Sequence, residues 1–171
     1  MDFNFKDKYG IDDLIKIMEI LRSENGCPWD REQDHKSIRQ NLIEETYEVI
    51  EAIDNDDTEL LKEELGDALL QVVFHSRIEE ETNSFDFSDV ADGICKKLII
   101  RHPHVFGNIT ADTPEEVLKN WDDIKMKTKS QTKASEAMDS VAKSLPALMR
   151  ADKIRSKAKN CLLYTSDAAD D

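Results

Sequence analysis

The chain has 171 residues and a formal net charge of −14, from 37 acidic and 23 basic side chains. This length allows one domain with a buried core plus an appendage, or two very small domains. The acidic balance argues against general affinity for nucleic acid or anionic membranes, because both surfaces are themselves negatively charged. It does not exclude a ligand that carries phosphate, since a metal ion can bridge two anionic groups.

The cysteines and the start of the chain indicate a cytoplasmic protein. Cys27, Cys95 and Cys161 are too few and too scattered for a disulfide framework or a zinc site. The first residues lack the basic and then apolar pattern of a secretory signal. No apolar run approaches the ~18 residues of a membrane span. We therefore expect a cytoplasmic protein that binds neither nucleic acid nor membrane.

Apolar residues recur every three to four positions along most of the chain, as is typical of α-helices. This pattern predicts helices over residues 11–24, 36–53, 58–81, 88–101 and 145–159, with turns over 27–30 and 54–57. A further helix is predicted to begin at the N-cap Thr113, with Pro114 at its first position and Glu116 completing a capping box. Because no strand-like alternation of useful length is present, the sequence predicts an all-α fold.

Acidic residues are concentrated in one stretch of the sequence. Residues 44–67 contain eleven acids and one base, whereas residues 119–160 contain eleven bases and five acids. Within the acidic stretch, Glu45 and Glu48 lie three residues apart on one predicted helix, and Glu64 and Asp67 lie three residues apart on the next. Residues at this spacing share a helical face. Since a short turn joins the two helices, they are expected to pack antiparallel and to bring the four carboxylates together.

Clustered carboxylates repel one another unless a cation lies among them. Hard oxygen ligands without sulfur or imidazole suit Mg²⁺ or Mn²⁺, which would favour hydrolysis of a phosphoanhydride. The alternative is an ordinary solvated acidic face. A glycine inside the second helix, Gly66, favours the metal site, because mid-helix glycine is destabilising and a close approach of helices would explain it. A di-iron bundle is the other metal site considered, but only Glu32 and His35 fit its Glu-x-x-His unit.

The motifs in order closely resemble those of the MazG family of nucleoside triphosphate pyrophosphohydrolases. They are Gly26-Cys27-Pro28-Trp29-Asp30, Glu44-Glu45-x-x-Glu48, Glu64-Leu65-Gly66-Asp67 with Gln71-Val72-Val73-Phe74, and Arg101-His102-Pro103-His104-Val105-Phe106-Gly107. The resemblance covers about residues 10–128. It implies an antiparallel helical bundle completed by homodimerisation, with Mg²⁺ as the cofactor and Mn²⁺ as a substitute. The implied reaction converts nucleoside triphosphates, ribose or deoxyribose, to the monophosphate and pyrophosphate.

The resemblance also implies roles for individual residues. The metal ligands would be Glu45, Glu48, Glu64 and Asp67, and Glu44 would be a further ligand or would orient the attacking water. Contacts to the substrate would come from four side chains along the later part of the chain: Lys97, Arg101, Trp121 and Lys125. Each of these has an ordinary alternative, since lysines at such positions are commonly solvated and Trp121 shares a face with apolar residues. The family usually has two arginines before His-Pro-His, but here Ile100 takes the place of the first.

Three segments are expected along the chain. Residues 1–128 form the pyrophosphohydrolase domain. Residues 129–160 form a linker and the start of a connection to a second MazG domain that is missing from this chain. Residues 161–171 fit neither the preceding helix nor the family, and they can be back-translated into a transposase adapter used in sequencing libraries. We interpret them as translated adapter sequence.

Two further readings of function remain open at this level. This domain can be a catalytically weak, structural dimerisation domain whose missing second domain carries the activity. It can also be an enzyme restricted to one nucleotide, such as dUTP or dCTP.

Overall fold

The protein was analysed as a computed structural model that describes residues 3–110, 113, 114, 116, 117, 121, 124 and 138–166, with side chains as far as Lys159. The chain divides into two compact units, residues 1–96 and residues 97–171. All regular elements in the described ranges are helices, which confirms the all-α prediction. None of the helices in these ranges has both the length and the apolar character needed to cross a membrane.

Seven helices are described. They are α1 (Ile11–Arg22), α2 (Pro28–Glu32), α3 (Arg39–Asp54), α4 (Thr58–Glu81), α5 (Phe87–Arg101), α6 (Pro103–Phe106) and α7 (Ala147–Ser166). The predicted helices over 58–81 and 88–101 agree with α4 and α5 to within a residue. The predicted helix from Thr113 falls mostly outside the described residues, but its N-cap is present, because the Thr113 hydroxyl accepts from the Glu116 N–H at 3.3 Å. The first part of the predicted linker, residues 129–137, also falls outside them.

Two short helices and several helix ends differ from the sequence prediction. Helix α1 ends at Arg22 rather than at residue 24, and α3 begins at Arg39 rather than at residue 36. Residues 27–30, predicted as a turn, contain the start of α2, because Pro28 holds the first helical position and the Cys27 carbonyl accepts from the Arg31 N–H at 3.1 Å. Helix α6 was not predicted, since four residues are too few to show a helical period. Helix α7 runs to Ser166, past the predicted end at residue 159.

The core of the first unit is built where α1 and the residues before α3 meet the second half of α4. Met18, Ile38, Val73 and Phe74 are almost completely buried there. Partly buried apolar side chains surround them, namely Leu14, Ile15, Leu21, Leu70, Ile78 and Phe87. The first half of α4 contributes little to this core, so the two halves of this long helix have different surroundings.

A tight turn between α3 and α4 fixes their antiparallel packing. Asp56 adopts a positive φ of 54°, a conformation that aspartate tolerates better than most residues. The Asp57 N–H donates to the Ala52 carbonyl at 3.0 Å, which closes the end of α3. The Asp57 side chain then caps α4 by accepting from the Leu60 N–H at 3.0 Å. The predicted turn over residues 54–57 is therefore confirmed.

The second unit contains the end of α5, α6 and α7. Gly107 ends α6, and a Cβ atom at this position would lie 2.9 Å from the Pro103 carbonyl oxygen. Trp121 is half-buried and meets the edge of the His102 ring, with centroids 4.9 Å apart. Val141 is buried in this unit.

A buried arginine connects three elements of the first unit. The Arg22 side chain is 5% exposed and forms a two-pronged ion pair with Glu81 on α4, with both N···O distances at 2.8 Å. Its guanidinium also donates to the carbonyls of Asp30 and Gln33, and it lies over the Phe74 ring. Arg22 thus satisfies backbone groups of the α2 region while it fastens α1 to α4.

Replacing Arg22 with methionine is expected to lower the free energy of unfolding by about 2–4 kcal/mol, because Glu81 and two carbonyls lose their charged donor. Urea unfolding of the full chain measures this loss. Lys16→Met on the same helix is the matched control, since the Lys16–Glu19 pair is solvent-exposed and should change stability by no more than ~0.5 kcal/mol. Equal effects from both variants would contradict the anchoring role of Arg22.

The stabilisation by this pair should disappear in acid. The hydrogen bond from Arg22 holds the pKa of Glu81 below its usual value of 4.5, aided by the charges of Arg22 and Arg77. A carboxyl whose pKa is depressed on folding stabilises the protein above its unfolded pKa and loses that contribution as the pH falls through the folded value. The difference between wild type and Arg22→Met should therefore shrink below pH 4.5.

Candidate metal and active site

The antiparallel pair α3 and α4 brings acidic side chains from both helices together, as their spacing predicts. Carboxylate oxygens of Glu45, Glu48 and Glu64 all lie within 4.8 Å of one another. Glu45 and Glu64 are half-buried, and Glu48 is exposed. In the parts of the chain that the structure describes, this is the one cluster of three side chains able to ligate a metal. We call these three residues the carboxylate cluster.

Glu45 and Glu64 of the carboxylate cluster have raised pKa values. Desolvation raises the pKa of Glu45, and the negative charges of Asp67 and Glu48 raise it further. Desolvation also raises the pKa of Glu64, followed by the charges of Glu48 and Asp67. Asp67, the fourth predicted ligand, is not part of the carboxylate cluster, but its charge acts on acids of both helices. The neighbouring charges that raise these two pKa values all belong to carboxylates.

A divalent cation fits this donor set. The donors are oxygens only, which suits Mg²⁺ and Mn²⁺ rather than softer transition metals. Partial burial and mutual repulsion both disfavour the ionised acids, and a bound cation would reverse that electrostatic cost. The di-iron alternative is not supported, because the cluster contains no histidine.

Glu44 lies on α3 beside the cluster but outside it. Its carboxylate is exposed and accepts a hydrogen bond from the Gln40 amide at 3.1 Å. An acid that neighbours the metal-ligating residues without belonging to them is free to contact water. This placement leaves its predicted role in orienting or deprotonating water as a prediction.

The sequence predicted that another helix approaches Gly66 closely, and for the single chain this prediction is wrong. Gly66 is exposed, and a Cβ atom built on it would meet nothing within 4 Å. No helix of this chain approaches it closely among the described residues. The apolar side chains on either side, Leu65 and Leu69, are exposed as well.

The predicted substrate-binding residues belong to the second unit. Lys97 is exposed on α5, and Arg101 is half-buried one turn later at the end of the same helix. Trp121 packs against His102, and its buried indole Nε1 has no hydrogen-bond partner among the described residues. Lys125 lies outside the described residues. The placement of Lys97 and Arg101 on one face agrees with a shared anionic ligand, but their role stays a prediction.

One group of ionisable residues was not predicted from the sequence. His35, considered only with Glu32 as an iron motif, has its ring against His75 and its Nε2 against Glu79. Forty residues separate His35 from His75, so their contact could not be foreseen from spacing along the chain. The i, i+4 spacing of His75 and Glu79 on α4 was the only local signal.

Comparison with known proteins identifies the domain. Residues 33–106, which include the whole carboxylate cluster, match the model of the MazG nucleotide pyrophosphohydrolase domain. The chain is 47% identical over 151 residues to the nucleoside triphosphate pyrophosphohydrolase of Escherichia coli (strain K12), covering 88% of this chain and 57% of that protein. It is 48% identical over 147 residues to the nucleoside triphosphate pyrophosphohydrolase/pyrophosphatase MazG of Thermotoga maritima, covering 86% of this chain and 56% of that protein.

A solved structure has the same helical arrangement. The crystal structure of a mazG-related protein from Thermotoga maritima superposes with a TM-score of 0.57 at 27% identity, covering 67% of this chain and 98% of the other. The chain spans a little over half the length of the Escherichia coli and Thermotoga maritima relatives it matches. Sequence, domain model and fold agree, and the chain therefore belongs to the MazG family.

Proposed function

We propose that this protein hydrolyses nucleoside triphosphates to the nucleoside monophosphate and pyrophosphate. The observation that supports this is the carboxylate cluster on α3 and α4 inside the residues that match the MazG domain. The relatives that share nearly half of its residues carry the same activity in their names. The reaction would act on nucleotide pools in the cytoplasm, where these substrates and Mg²⁺ are available. The acidic balance of the chain supports a small-molecule substrate rather than a nucleic acid.

Glu45, Glu48, Glu64 and Asp67 would hold Mg²⁺, with Mn²⁺ as a substitute. When bound there, the cation supplies charge neutralisation for phosphate oxygens and for the pyrophosphate that leaves. The four side chains supply only oxygens; Glu45, Glu64 and Asp67 are half-buried, and Glu48 is exposed. This arrangement supports a site for a cation that in turn attracts a polyanionic substrate.

The remaining predicted residues have roles that follow from their chemistry. Glu44, whose carboxylate is exposed beside the cluster, would accept a proton from the water that attacks the α-phosphorus. Lys97 and Arg101 would donate to phosphate oxygens, Arg101 through its planar guanidinium. Trp121 and Lys125 would contact the nucleoside. Trp121 can do so by stacking, which tolerates any base.

A homodimer is the second part of the proposal. Large apolar side chains remain exposed along the first unit's helix pair: Ile43, Tyr47 and Ile50 on α3, and Leu65 and Leu69 on α4. We call these five residues the α3–α4 apolar face. Their spacing of three to four residues makes each row continuous along one side of its helix. Rows of exposed apolar side chains are typical of an interaction site, and a second copy of the chain would bury them.

The reaction is tested with the full chain, Mg²⁺ and a panel of NTPs and dNTPs. We expect monophosphate and pyrophosphate in a 1:1 ratio, and in ¹⁸O-labelled water the label should enter the monophosphate. Glu64→Gln should reduce the rate by roughly 100-fold or more, since even partners one shell outside a metal typically cost 10–100-fold. Glu59→Gln, an exposed acid on the same helix, should leave it unchanged. Release of orthophosphate, or no turnover with every nucleotide, would contradict the proposal, and the latter would favour a structural domain.

Metal binding is tested separately through thermal stability. Mg²⁺ should raise the melting temperature of the wild type at neutral pH, because it relieves the repulsion among ionised acids. Glu64→Gln should melt higher than wild type without metal, since one repelling charge is gone, and should gain less from Mg²⁺. Glu59→Gln should behave like wild type in both conditions. A Glu64→Gln variant that melts lower without metal would show that the acids are not in conflict.

Gly66 distinguishes a single chain from a dimer. In an isolated helix, Gly66→Ala should stabilise by about 0.5–1 kcal/mol through helix propensity. Against a second copy packed on the α3–α4 apolar face, the added methyl group should instead weaken association. We expect sedimentation to show more monomer for Gly66→Ala at equal concentration. Gly93→Ala on α5, where a Cβ also meets nothing within 4 Å, is the matched control and should leave the dimer unchanged. A wild type that is monomeric throughout would contradict the proposed dimer.

A further inference from the structure

Two histidines meet at the second half of α4, which follows the residues of the carboxylate cluster in the sequence. The Nδ1 atoms of His35 and His75 are 2.8 Å apart, and the Nε2 atom of His35 lies 2.8 Å from Glu79 Oε1. His75 and Glu79 are on α4, and His35 belongs to the short stretch between α2 and α3. We call residues 33–38 the entry segment, because it leads into α3. Both ring nitrogens of His35 therefore contact α4.

The ring positions indicate a hydrogen bond between the imidazoles. The rings are nearly coplanar, at 13°, and their centroids are 5.0 Å apart. The distance between the centroids exceeds the Nδ1···Nδ1 distance by about the sum of the two distances from a ring centre to its own Nδ1 atom. Both nitrogens therefore lie close to the line that joins the ring centres. Two lone pairs converging on one metal ion would bring the centroids closer at the same nitrogen distance. A shared proton explains the arrangement better than a chelated metal.

The number of hydrogens on the ring nitrogens limits the positive charge that the two imidazoles can carry while they stay in contact. The Glu79 carboxylate accepts only, so His35 Nε2 carries a hydrogen. One further hydrogen must lie between the two Nδ1 atoms, on either ring. With neutral rings, His75 donates to His35, and with one added charge, a His35 imidazolium donates to His75. If both rings are protonated, two N–H groups face each other and the contact fails.

The charges around the pair come from three elements. On α4, Glu79 faces His35, while Arg77 is paired with Glu80 and Glu81. On α1, Arg22 donates to the Gln33 carbonyl at the start of the entry segment. Within the segment, the Asp34 carboxylate accepts from the backbone N–H groups of Lys36 and Ser37. Of these groups, only Glu79 bonds an imidazole nitrogen, so it can stabilise one positive charge and does not reach the His75 ring nitrogen.

We propose that the hydrogen bond between His35 and His75 holds the entry segment on α4 and breaks when both imidazoles are protonated, which releases the segment. The entry segment is otherwise held by Ile38, which is buried in the core at 2% exposure, and by the backbone contact of Gln33 with Arg22. Release therefore loosens residues 34–37 first. Because α3 begins directly after Ile38, the release acts on the start of the helix that carries Glu45 and Glu48. The inference is independent of the proposed reaction.

The direction of the effect follows from His75. Burial, and then the charge of His35, lower the pKa of His75 below its usual value of 6.5. A histidine whose pKa is depressed on folding stabilises the protein above its unfolded pKa and loses that contribution as the pH falls through the folded value. The release should thus develop as the pH falls below 6.5, and not on the alkaline side.

The first experiment is an NMR titration of the imidazole nitrogens in the full, metal-free chain. The chain has four histidines, so each can be assigned by substitution. We expect His75 to titrate below the usual range, and His35→Asn to move its pKa upward. We also expect His35 to keep a proton on Nε2 throughout. A His75 titration that is identical with and without His35 would overturn the pairing.

The second experiment measures hydrogen exchange of the Ile38 amide, which donates to the Asp34 carbonyl at 3.3 Å. After correction for intrinsic rates, its protection should fall between pH 7.5 and 5.0 in the wild type. His75→Asn should abolish that fall, because an amide side chain can donate to or accept from His35 without a second charge. His102→Asn, in the second unit, is the control and should behave like wild type. If His75→Asn does not fold, His35→Asn serves in its place. The proposal would be overturned if protection of the Ile38 amide in the wild type did not depend on pH, or if its pH dependence persisted in both variants. Loss of that protection on adding a Zn²⁺ chelator at constant pH would also overturn it, because this would identify a metal site.

Discussion

The antiparallel packing of α3 on α4 is the constraint on which the site depends. It forces two acidic pairs, three residues apart on each helix, to face each other across the helix pair. The result is a cluster in which neighbouring carboxylates raise the pKa values of Glu45 and Glu64. Such an arrangement costs folding free energy, so it must be held by interactions elsewhere. The turn at Asp56 and Asp57 provides one of these, because it closes the end of α3 and caps α4 with the same two residues.

The two halves of helix α4 have different roles: the first half carries acids of the candidate site, and the second half packs in the core. Its first half carries Glu64 and Asp67 and leaves Leu65 and Leu69 exposed. Its second half carries Val73 and Phe74 in the core and pairs Glu81 with the buried Arg22. A continuous helix transmits position rigidly from one half to the other. The well-packed half can therefore hold the repelling carboxylates in place, and the His35–His75 pair lies on that same half, where it meets the segment that leads into α3.

Sequence patterns predicted the long helices well, because their apolar residues repeat over several turns. The repeat of apolar residues did not predict α2 and α6. These helices are too short to show such a repeat, and they depend instead on a proline at the first helical position. The sequence identified Glu45, Glu48 and Glu64 correctly as neighbours, since spacing on two antiparallel helices determines which side chains meet. It gave the wrong reason for Gly66, because close helix approach is a property of packing and none of the described helices packs there. Glu44, predicted as a further ligand or as the residue that orients water, lies outside the carboxylate cluster and accepts a hydrogen bond from Gln40.

By itself, the sequence determined the helical class, the turn between α3 and α4, the acidic character of the site and the family motifs that define it. These properties are local, since they depend on residue type and on spacing within two adjacent helices. Only the tertiary structure decided which acids share a cluster, that Arg22 is buried with Glu81, and that His35 meets His75. Such contacts join residues tens of positions apart. They depend on how side chains pack in three dimensions, which no spacing along the chain specifies.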